Sequence, residues 1–195
     1  MAAEVSSAAI TKRIRRAFIY FPHVTYALAR LEEMFAEGPS GFEPEHLMLV
    51  GETGTGKSTL LQHFAQQHPR VEHAEFTEVP VLVVEVPPKC SNVRLAQAML
   101  KALGSKFWNK GNEMELSSQL QELLIECKVR LVILDEINHL VDRGTAKSHH
   151  SVADWIKALF NAVKIPCVLA GIPRAKLLLE TNDQLGDRFR EIVEV

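Results

Sequence analysis

The chain has 195 residues, of which 47% are apolar and 24% are charged, and its formal net charge is -2. This length is enough for one domain with a sizeable core, and the composition is that of an ordinary soluble globular protein. A charge so close to neutral excludes a protein that coats nucleic acid through bulk basicity, because such proteins are strongly basic. Any contact with nucleic acid must therefore come from local basic patches.

The sequence predicts neither disulfides, nor a metal site built from protein ligands, nor a membrane span. Cys90, Cys127 and Cys167 are isolated and form no C-x-x-C pair, which is typical of a protein of the reducing cytoplasm. The eight histidines form no H-x-x-x-H pair. No apolar run reaches the roughly 18 residues that a membrane span needs. The basic cluster at 12–16 follows the mildly apolar start, so the first residues do not form a signal peptide.

Apolar periodicity divides the chain into alternating strands and helices. Apolar residues recur at helical spacing over 14–35 and predict a helix after the break at Phe21-Pro22. In chain order, the next predicted elements are a strand over 46–50, a helix over 57–67, a strand over 81–86, helices over 91–103 and 115–127, a strand over 130–135, a polar loop over 142–150, a helix over 151–163, a strand over 166–170, a helix over 174–185 and a strand over 191–195. This alternation predicts an α/β fold with a mostly parallel sheet covered on both faces. Residues 1–11 are predicted to be a flexible tail, and residues 12–195 a single core domain.

The stretch GETGTGKST matches the phosphate-binding pattern G-x-x-x-x-G-K-[ST] and lies between a predicted strand and a predicted helix. Its residues are Gly51, Glu52, Thr53, Gly54, Thr55, Gly56, Lys57, Ser58 and Thr59. Glycines let successive backbone N–H groups turn inward around a phosphate, and the helix adds its positive end. Lys57 can contact the β and γ phosphates, and the Ser58 hydroxyl can bind Mg²⁺. The sequence therefore predicts a nucleotide site with Mg²⁺.

Two acidic residues, Asp135 and Glu136, end the apolar run that forms the third predicted strand. Asp135 can hold Mg²⁺ through its water shell, and Glu136 can orient and polarise the water that attacks the γ-phosphate. The alternative is that the two acids only begin a solvated loop. Because P-loop kinases rarely need the second acid, the pair favours ATP hydrolysis, with Glu136 and Lys57 as catalytic residues.

Arg188 and Arg190 lie where a predicted helix ends before the last strand, at the rim of the sheet. An arginine there is poorly placed to reach the phosphate of its own chain and well placed to reach that of a neighbour. An arginine finger of this kind accelerates hydrolysis by about 10³- to 10⁵-fold. The alternative is a solvated cation at the end of a helix, where positive charge is favoured.

The P-loop, the strand that ends in Asp135-Glu136, the following apolar strand and the late Arg-Phe pair together resemble the AAA+ ATPases. The flanking blocks that narrow the resemblance are RIRR (13–16), YFPH (20–23), ALARLEE (27–33), LDEINHL (134–140), IPCVLAG (165–171) and NDQLGDRF (182–189). With these blocks, the chain resembles the TniB/TnsC-type AAA+ ATPases of Tn7-like and Tn5053-like transposons, which are related to MuB. The match runs from about residue 12 to the end of the chain.

The resemblance implies a three-layer AAA+ sandwich with a five-stranded parallel sheet of strand order 5-1-4-3-2. It implies that residues 51–59, Asp135 and Glu136 hold ATP and Mg²⁺, and that Tyr20 and Phe21 pack against the adenine. It implies that Arg188, with Arg190 as the second candidate, acts on a neighbouring protomer.

The resemblance also implies partners. ATP would control assembly of a homo-oligomeric ring or helical filament on target DNA. That polymer would recruit and activate the transposase, together with a TniQ-like target-selection protein, and hydrolysis would disassemble it.

The chain departs from the AAA+ pattern at two places. The fourth strand ends in AGIP (170–173), where many AAA+ proteins have a polar sensor residue, so either Asn138 takes that role or sensing is weak. No helical lid follows the fifth strand before Val195, so we expect a truncated or unusually short member.

Candidate DNA contacts are Lys106, Lys110, Arg143 and Lys147, and Phe107-Trp108 can stack on a base or sugar. Each of these residues can equally be a solvated charge or a core aromatic. Three other functions stay open at this point: a nucleotide-gated scaffold that hydrolyses slowly, another AAA+ DNA ATPase such as a helicase loader or the helper of an insertion element, and, more distantly, a P-loop kinase.

Overall fold

The computed structural model describes residues 18–40, 43–141 and 146–195, except for the side chains of residues 146–150 and 183. The predicted tail at 1–11 lies outside these ranges. Five strands form one parallel sheet: β1 (Leu47–Val50), β2 (Val81–Glu85), β3 (Leu131–Asp135), β4 (Cys167–Gly171) and β5 (Glu191–Glu194). Their order across the sheet is β5-β1-β4-β3-β2, so the expected order 5-1-4-3-2 is confirmed.

Helices cover both faces of this sheet, which makes the expected three layers. The helices are α1 (Pro22–Glu37), α2 (Lys57–Gln67), α3 (Asn92–Leu103), α4 (Glu113–Glu126), α5 (Ala146–Val163), α6 (Leu177–Glu180) and α7 (Asp183–Gly186). Helices α1 and α2 pack on one face, and α3 to α7 pack on the other. Within the described ranges, no helix combines the length and the apolarity needed to cross a membrane.

The alternation of side chains along each strand explains why both faces need cover. On β1, Leu47 and Leu49 belong to the core beneath α1 and α2, whereas Met48 and Val50 belong to the core on the opposite face. All four side chains are fully buried. Since successive strand residues point to opposite faces, an unbroken apolar strand is stable only between two helical layers. Each leucine buried in this way contributes roughly 2 kcal/mol.

Local chemistry sets where the helices begin. Proline stands at the first position of α1, where its missing N–H would have had no helical partner. Helix α4 begins with a reciprocal cap, in which Asn112 accepts hydrogen bonds from the N–H groups of Met114 and Glu115, and the Glu115 carboxylate accepts from the N–H of Asn112. This cap starts the helix two residues before its predicted start.

Two further predicted boundaries were wrong. Helix α5 begins at Ala146, inside the polar loop predicted over 142–150, because a polar first turn carries no apolar periodicity by which to recognise it. The single helix predicted over 174–185 is instead a 3₁₀ turn followed by α6 and α7. Asn182 explains the second break, because its side-chain oxygen accepts from the N–H of Leu185 and so caps a new helix.

A short antiparallel ribbon between Val71–Glu72 and Thr77–Glu78 was not predicted. With two residues in each strand, it is too short to produce an alternating pattern that the sequence could reveal.

A substitution of Phe64 tests whether the core between α2 and the sheet is assigned correctly. Its side chain is fully buried and lies 6.2 Å from the ring of Phe35. We expect Phe64→Ala to lower the free energy of unfolding by about 3–5 kcal/mol, because it removes a large buried side chain and leaves a cavity. The matched control is Phe107→Ala, which deletes a ring that is 57% exposed and should cost less than about 1 kcal/mol. Equal losses in urea denaturation would contradict this assignment of the core.

Candidate nucleotide-binding site

The loop between β1 and α2 has the backbone of an anion cradle. Gly54 and Gly56 have positive φ angles of 87° and 94°, and a Cβ atom added to either would meet nothing within 4 Å. The two glycines are therefore required by the path of the backbone, and the space in front of them is open. No side chain caps the first turn of α2, so its amino-terminal N–H groups are free to bind an anion.

Gly51 is required for a different reason, because three strands meet at this residue. A Cβ here would overlap the carbonyl oxygen of Val195 and lie 2.8 Å from the Thr55 hydroxyl. The Gly51 N–H donates to the carbonyl of Gly171 at 3.2 Å, and the N–H of Val195 donates to the carbonyl of Val50 at 2.8 Å. The start of the loop is thus held against the ends of β4 and β5.

Lys57 points back into the loop. Its side chain is 7% exposed, and Nζ donates to the carbonyls of Gly51 and Glu52 at 2.8 and 2.9 Å. These two bonds satisfy a buried charge in the free protein, and phosphate oxygens can replace them in a complex. Ser58 is half-buried at the first turn of α2, and Thr59 is exposed.

The two acids lie at the same edge of the sheet as this loop. Asp135 is buried, and its Oδ1 accepts from the N–H of Glu136 at 2.8 Å. Glu136 is half-buried and has a left-handed backbone, with φ 57° and ψ 39°. A non-glycine residue in this conformation costs of order 1–3 kcal/mol, and such strain clusters at functional sites. Only β4 separates β3 from β1, so about 10 Å lies between the acids' strand and the strand that leads into the loop.

These residues fit ATP and Mg²⁺. The loop offers backbone N–H groups and Lys57 to phosphate oxygens, and Ser58 and Asp135 offer the oxygen ligands that Mg²⁺ prefers. Among the described residues, no group of three or more His, Cys, Asp or Glu side chains is arranged to hold a metal.

A cavity of about 350 Å³ adjoins the loop. Its wall combines the segment before and at the start of α1 with the first turn of α2, through Phe18, Ile19, Phe21, His23, Val24, Thr55, Gly56, Thr59 and Leu60. An apolar and aromatic slot beside a phosphate cradle suits a flat base. Phe21, which the family resemblance assigns to the adenine, lines this slot. Tyr20, its partner in that expectation, is not part of the wall, and its hydroxyl is 3.1 Å from His63 Nε2. Sequence reasoning missed the neighbours of Phe21, although their apolar character next to it was a signal.

Arg188 and Arg190 lie just before β5, at the amino-terminal ends of the strands and so opposite the P-loop. Glu191 aligns with Leu47 at the amino end of β1, whereas Gly51 follows the carboxyl end of β1. Along the strand direction, roughly 13 Å therefore separates the start of β5, next to the arginines, from the start of the P-loop. Arg188 forms a 2.6 Å ion pair with Glu43, and Arg190 Nε donates to the Asp187 carbonyl at 2.8 Å. The structure thus brings the P-loop and the acids together and leaves the arginines apart from them. Nothing in the local sequence revealed Glu43 as a partner.

Both arginines line a second cavity, of about 590 Å³, whose floor includes His46. His46 is 4% exposed, stacks on Phe189 at 4.9 Å, and accepts a hydrogen bond at Nδ1 from the N–H of Cys167. Burial, with a smaller contribution from the positive charge of Arg188, lowers the pKa of His46 to about 4. His46 is therefore neutral at physiological pH.

Of the basic residues proposed for DNA, Lys106 and Lys110 are exposed in the loop between α3 and α4. The Lys110 ammonium lies 5.3 Å from the centre of the exposed Phe107 ring, and Lys101 lies 5.4 Å from the Trp108 ring. Arg143 and the side chain of Lys147 lie outside the described residues.

Comparison with solved structures identifies the fold of this chain. The chain is similar to the Aeropyrum pernix ORC1 protein in complex with DNA (TM-score 0.65, 20% identity, 90% of this chain and 45% of that chain). It is also similar to Cdc6p from Pyrobaculum aerophilum (0.59, 16%, 90% and 45%) and to the Walker-type ATPase paby2304 of Pyrococcus abyssi (0.57, 18%, 86% and 51%). The chain therefore has the fold of the P-loop AAA+ ATPases, and it spans about half the length of these structures.

The family follows from the sequence comparison. The family model described as bacterial TniB protein matches residues 10–194. This chain belongs to the TniB family, the transposition proteins of the TniB/TnsC type. The comparison with curated proteins found no match.

The buried His46 predicts a dependence of stability on pH. Its folded-state pKa of about 4 lies below its ordinary value of 6.5, so the unfolded chain binds the extra proton between these values. The contribution, about 3 kcal/mol, is complete above pH 6.5 and is lost as the pH falls toward 4. Urea denaturation at pH 6.5 and at pH 4 measures this loss. Between these two pH values, the free energy of unfolding of His46→Gln should fall by about 3 kcal/mol less than that of the wild type. The same substitution at the exposed His23 is the control, and parallel losses in wild type and His46→Gln would refute the prediction.

Proposed function

We propose that this protein is an ATP-hydrolysing regulator of DNA transposition that assembles on target DNA and recruits and activates a transposase. The observation that carries the proposal is the meeting of the P-loop with Asp135 and Glu136 at one edge of the sheet, in a chain of the TniB family. Hydrolysis would then disassemble the polymer. The proposed partners are target DNA, further copies of the chain, the transposase and a TniQ-like protein, in the cytoplasm.

Each residue of the site has a role in nucleotide binding. The backbone of 51–56 and the first turn of α2 would wrap the phosphates, and Lys57 would exchange its two carbonyl partners for phosphate oxygens. Ser58 and Asp135 would hold Mg²⁺, and Phe21 would pack against the base. When bound, Mg²⁺ neutralises charge on the phosphates.

Glu136 is the residue that favours hydrolysis over transfer to another acceptor. It directly follows Asp135, and its left-handed backbone turns the chain at the end of β3. A carboxylate at this point can accept a proton from an attacking water, and such general bases contribute roughly 10²- to 10⁴-fold to rates.

The position of Arg188 supports action on a neighbouring protomer. It lies at the sheet edge opposite its own P-loop, so a phosphate that it contacts would belong to another copy of the chain. Its ion pair with Glu43 must open first, but Glu43 is largely exposed, and such pairs are worth about 0–1 kcal/mol. An arginine finger contributes about 10³- to 10⁵-fold, or about 4–7 kcal/mol, and so outweighs the pair.

DNA contact is proposed for the loop between α3 and α4. Lys106 and Lys110 can neutralise backbone phosphates, and the exposed ring of Phe107 can stack on a base or sugar. Arg143 and Lys147 remain further candidates from the sequence.

Glu136→Gln tests hydrolysis. We expect this variant to bind ATP and assemble on DNA as the wild type does, with turnover reduced by about 100-fold or more, because the base is lost and the shape is kept. Lys57→Ala is the control that should lose ATP binding and ATP-dependent assembly together. Phosphate release and the anisotropy of a labelled DNA duplex measure the two properties.

Two results would redirect the proposal. If the wild type hydrolyses ATP rapidly and Glu136→Gln does so at the same rate, Glu136 is not a catalytic residue. Wild-type turnover as slow as that of the variant, with both assembling on DNA, would indicate a nucleotide-gated scaffold instead of an ATPase.

Mixing of variants tests the arginine finger. Arg188→Ala should bind ATP normally but lose about 10³-fold or more in turnover. Adding Lys57→Ala protein should restore part of that turnover, because its intact Arg188 can act on the ATP held by the first variant. The matched control is the Lys57→Ala, Arg188→Ala double variant, which should restore nothing. Equal results from the two mixtures would exclude Arg188 as a finger in trans.

A further inference from the structure

One wall of the cavity beside the P-loop is formed by a segment that is largely exposed. Ile19, Tyr20 and Phe21, which precede α1, are 62%, 59% and 52% exposed. Phe18 is half-buried and packs against the core beneath α1 and α2. Because hydrophobic stabilisation scales with the apolar area that is buried, burial alone holds such a segment only weakly. The position of this wall over the loop therefore depends on specific side-chain contacts.

His63 on α2 provides these contacts. The Phe18 ring stacks on the imidazole of His63, with ring centres 3.9 Å apart and planes 12° apart. The ring of Tyr20 lies edge-on to both, with its centre 5.1 Å from Phe18 and 6.0 Å from His63. The Gln67 amide nitrogen, which can only donate, is 3.2 Å from His63 Nε2, so this ring nitrogen is an acceptor. The Tyr20 hydroxyl donates to the same nitrogen at 3.1 Å. We call Phe18, Tyr20 and His63 the aromatic clasp.

The aromatic clasp is attached to the same helix as the phosphate cradle. His63 follows Lys57, the first residue of α2, by six positions, which is roughly 9 Å along the helix. It lies one turn beyond Leu60, which lines the cavity, and residues at this spacing are neighbours on a helix surface. Helix α2 therefore carries the phosphate-binding turn, one wall of the slot through Leu60, and the anchor of the other wall through His63.

We propose that His63 is a positioning residue for the nucleotide base, because it holds residues 18–21 in place as the wall of the slot through Phe18 and Tyr20. This inference rests on the proposed nucleotide site. It gives Tyr20 a role other than packing against the base, since its hydroxyl fixes the wall from outside the cavity. A wall that is already in place does not have to be ordered when the base binds, so less binding free energy is lost. The aromatic clasp therefore affects ligands that carry a base and not bare phosphate chains.

Calorimetric titration of the full chain with a non-hydrolysable Mg²⁺-ATP analogue and with Mg²⁺-tripolyphosphate, which lacks the base and the ribose, tests the proposal. His63→Ala removes the stacked ring and the acceptor together, so we expect affinity for the analogue to fall about 20-fold. Tyr20→Phe removes only the hydroxyl and should lower this affinity about fivefold. Affinity for tripolyphosphate, which the loop and the start of α2 would bind, should stay within about twofold of the wild type in both variants. With ATP as substrate, KM should rise and kcat should not change.

Two further variants sharpen the experiment. Tyr26→Phe is the matched control, because it removes the hydroxyl of another exposed tyrosine, which donates to Glu191 at 3.1 Å and does not line the slot. It should change neither affinity. The Tyr20→Phe, His63→Ala double variant should lose no more affinity for the analogue than His63→Ala alone, because the hydroxyl of Tyr20 acts through His63.

The outcomes separate this inference from the proposed function. If His63→Ala binds the ATP analogue as the wild type does, or loses affinity for the analogue and for tripolyphosphate equally, His63 does not position the base. If the losses of the two single variants add in the double variant, Tyr20 acts independently of His63, and the inference is wrong. If the wild type itself binds neither ligand, the nucleotide site fails, and this inference fails with it.

Discussion

The close fit of Gly51 between β4 and β5 is the contact on which the rest of the site depends. Its N–H bonds to the end of β4, and the absence of a side chain lets the last residue of the chain approach. This contact sets the level at which β1 stops, and so where the phosphate cradle begins relative to Asp135. The same packing brings Gly171 to the loop. A shift of one residue in this register would exchange the buried faces of β1 and misalign the cradle with the acids.

The proposed functional residues lie at the two opposite ends of the parallel strands. All five carboxyl ends lie on one side, where the loop and the two acids converge. The amino ends lie on the other, where Glu43 holds Arg188 and His46 is buried beneath the second cavity. In our proposal, the site becomes complete when Arg188 of one copy reaches the phosphate that another copy holds. This separation is the physical reason why we connect nucleotide turnover to assembly.

Several features of the fold and site followed from sequence patterns alone. The strand order was implied by the resemblance to the AAA+ ATPases, whereas the residues alone predicted correctly the position of the P-loop between a strand and a helix and the bounds of α2. These features depend on local signals: apolar alternation, a fixed spacing of glycines, and acids at the end of a run. The start of α5 and the break at Asn182 were missed because polar residues at helix ends carry no apolar period.

What the sequence by itself determined is therefore most of the elements and their order along the chain, together with the residues that we propose for phosphate chemistry. Only the tertiary structure decided which distant residues meet: Arg188 with Glu43, Tyr20 with His63, and Asn138 with Gly171. The physical reason is that apolar periodicity and residue spacing depend only on the secondary structure of one segment and on the face that it buries. Contacts between segments far apart in the chain depend on strand register and packing, which no single segment encodes.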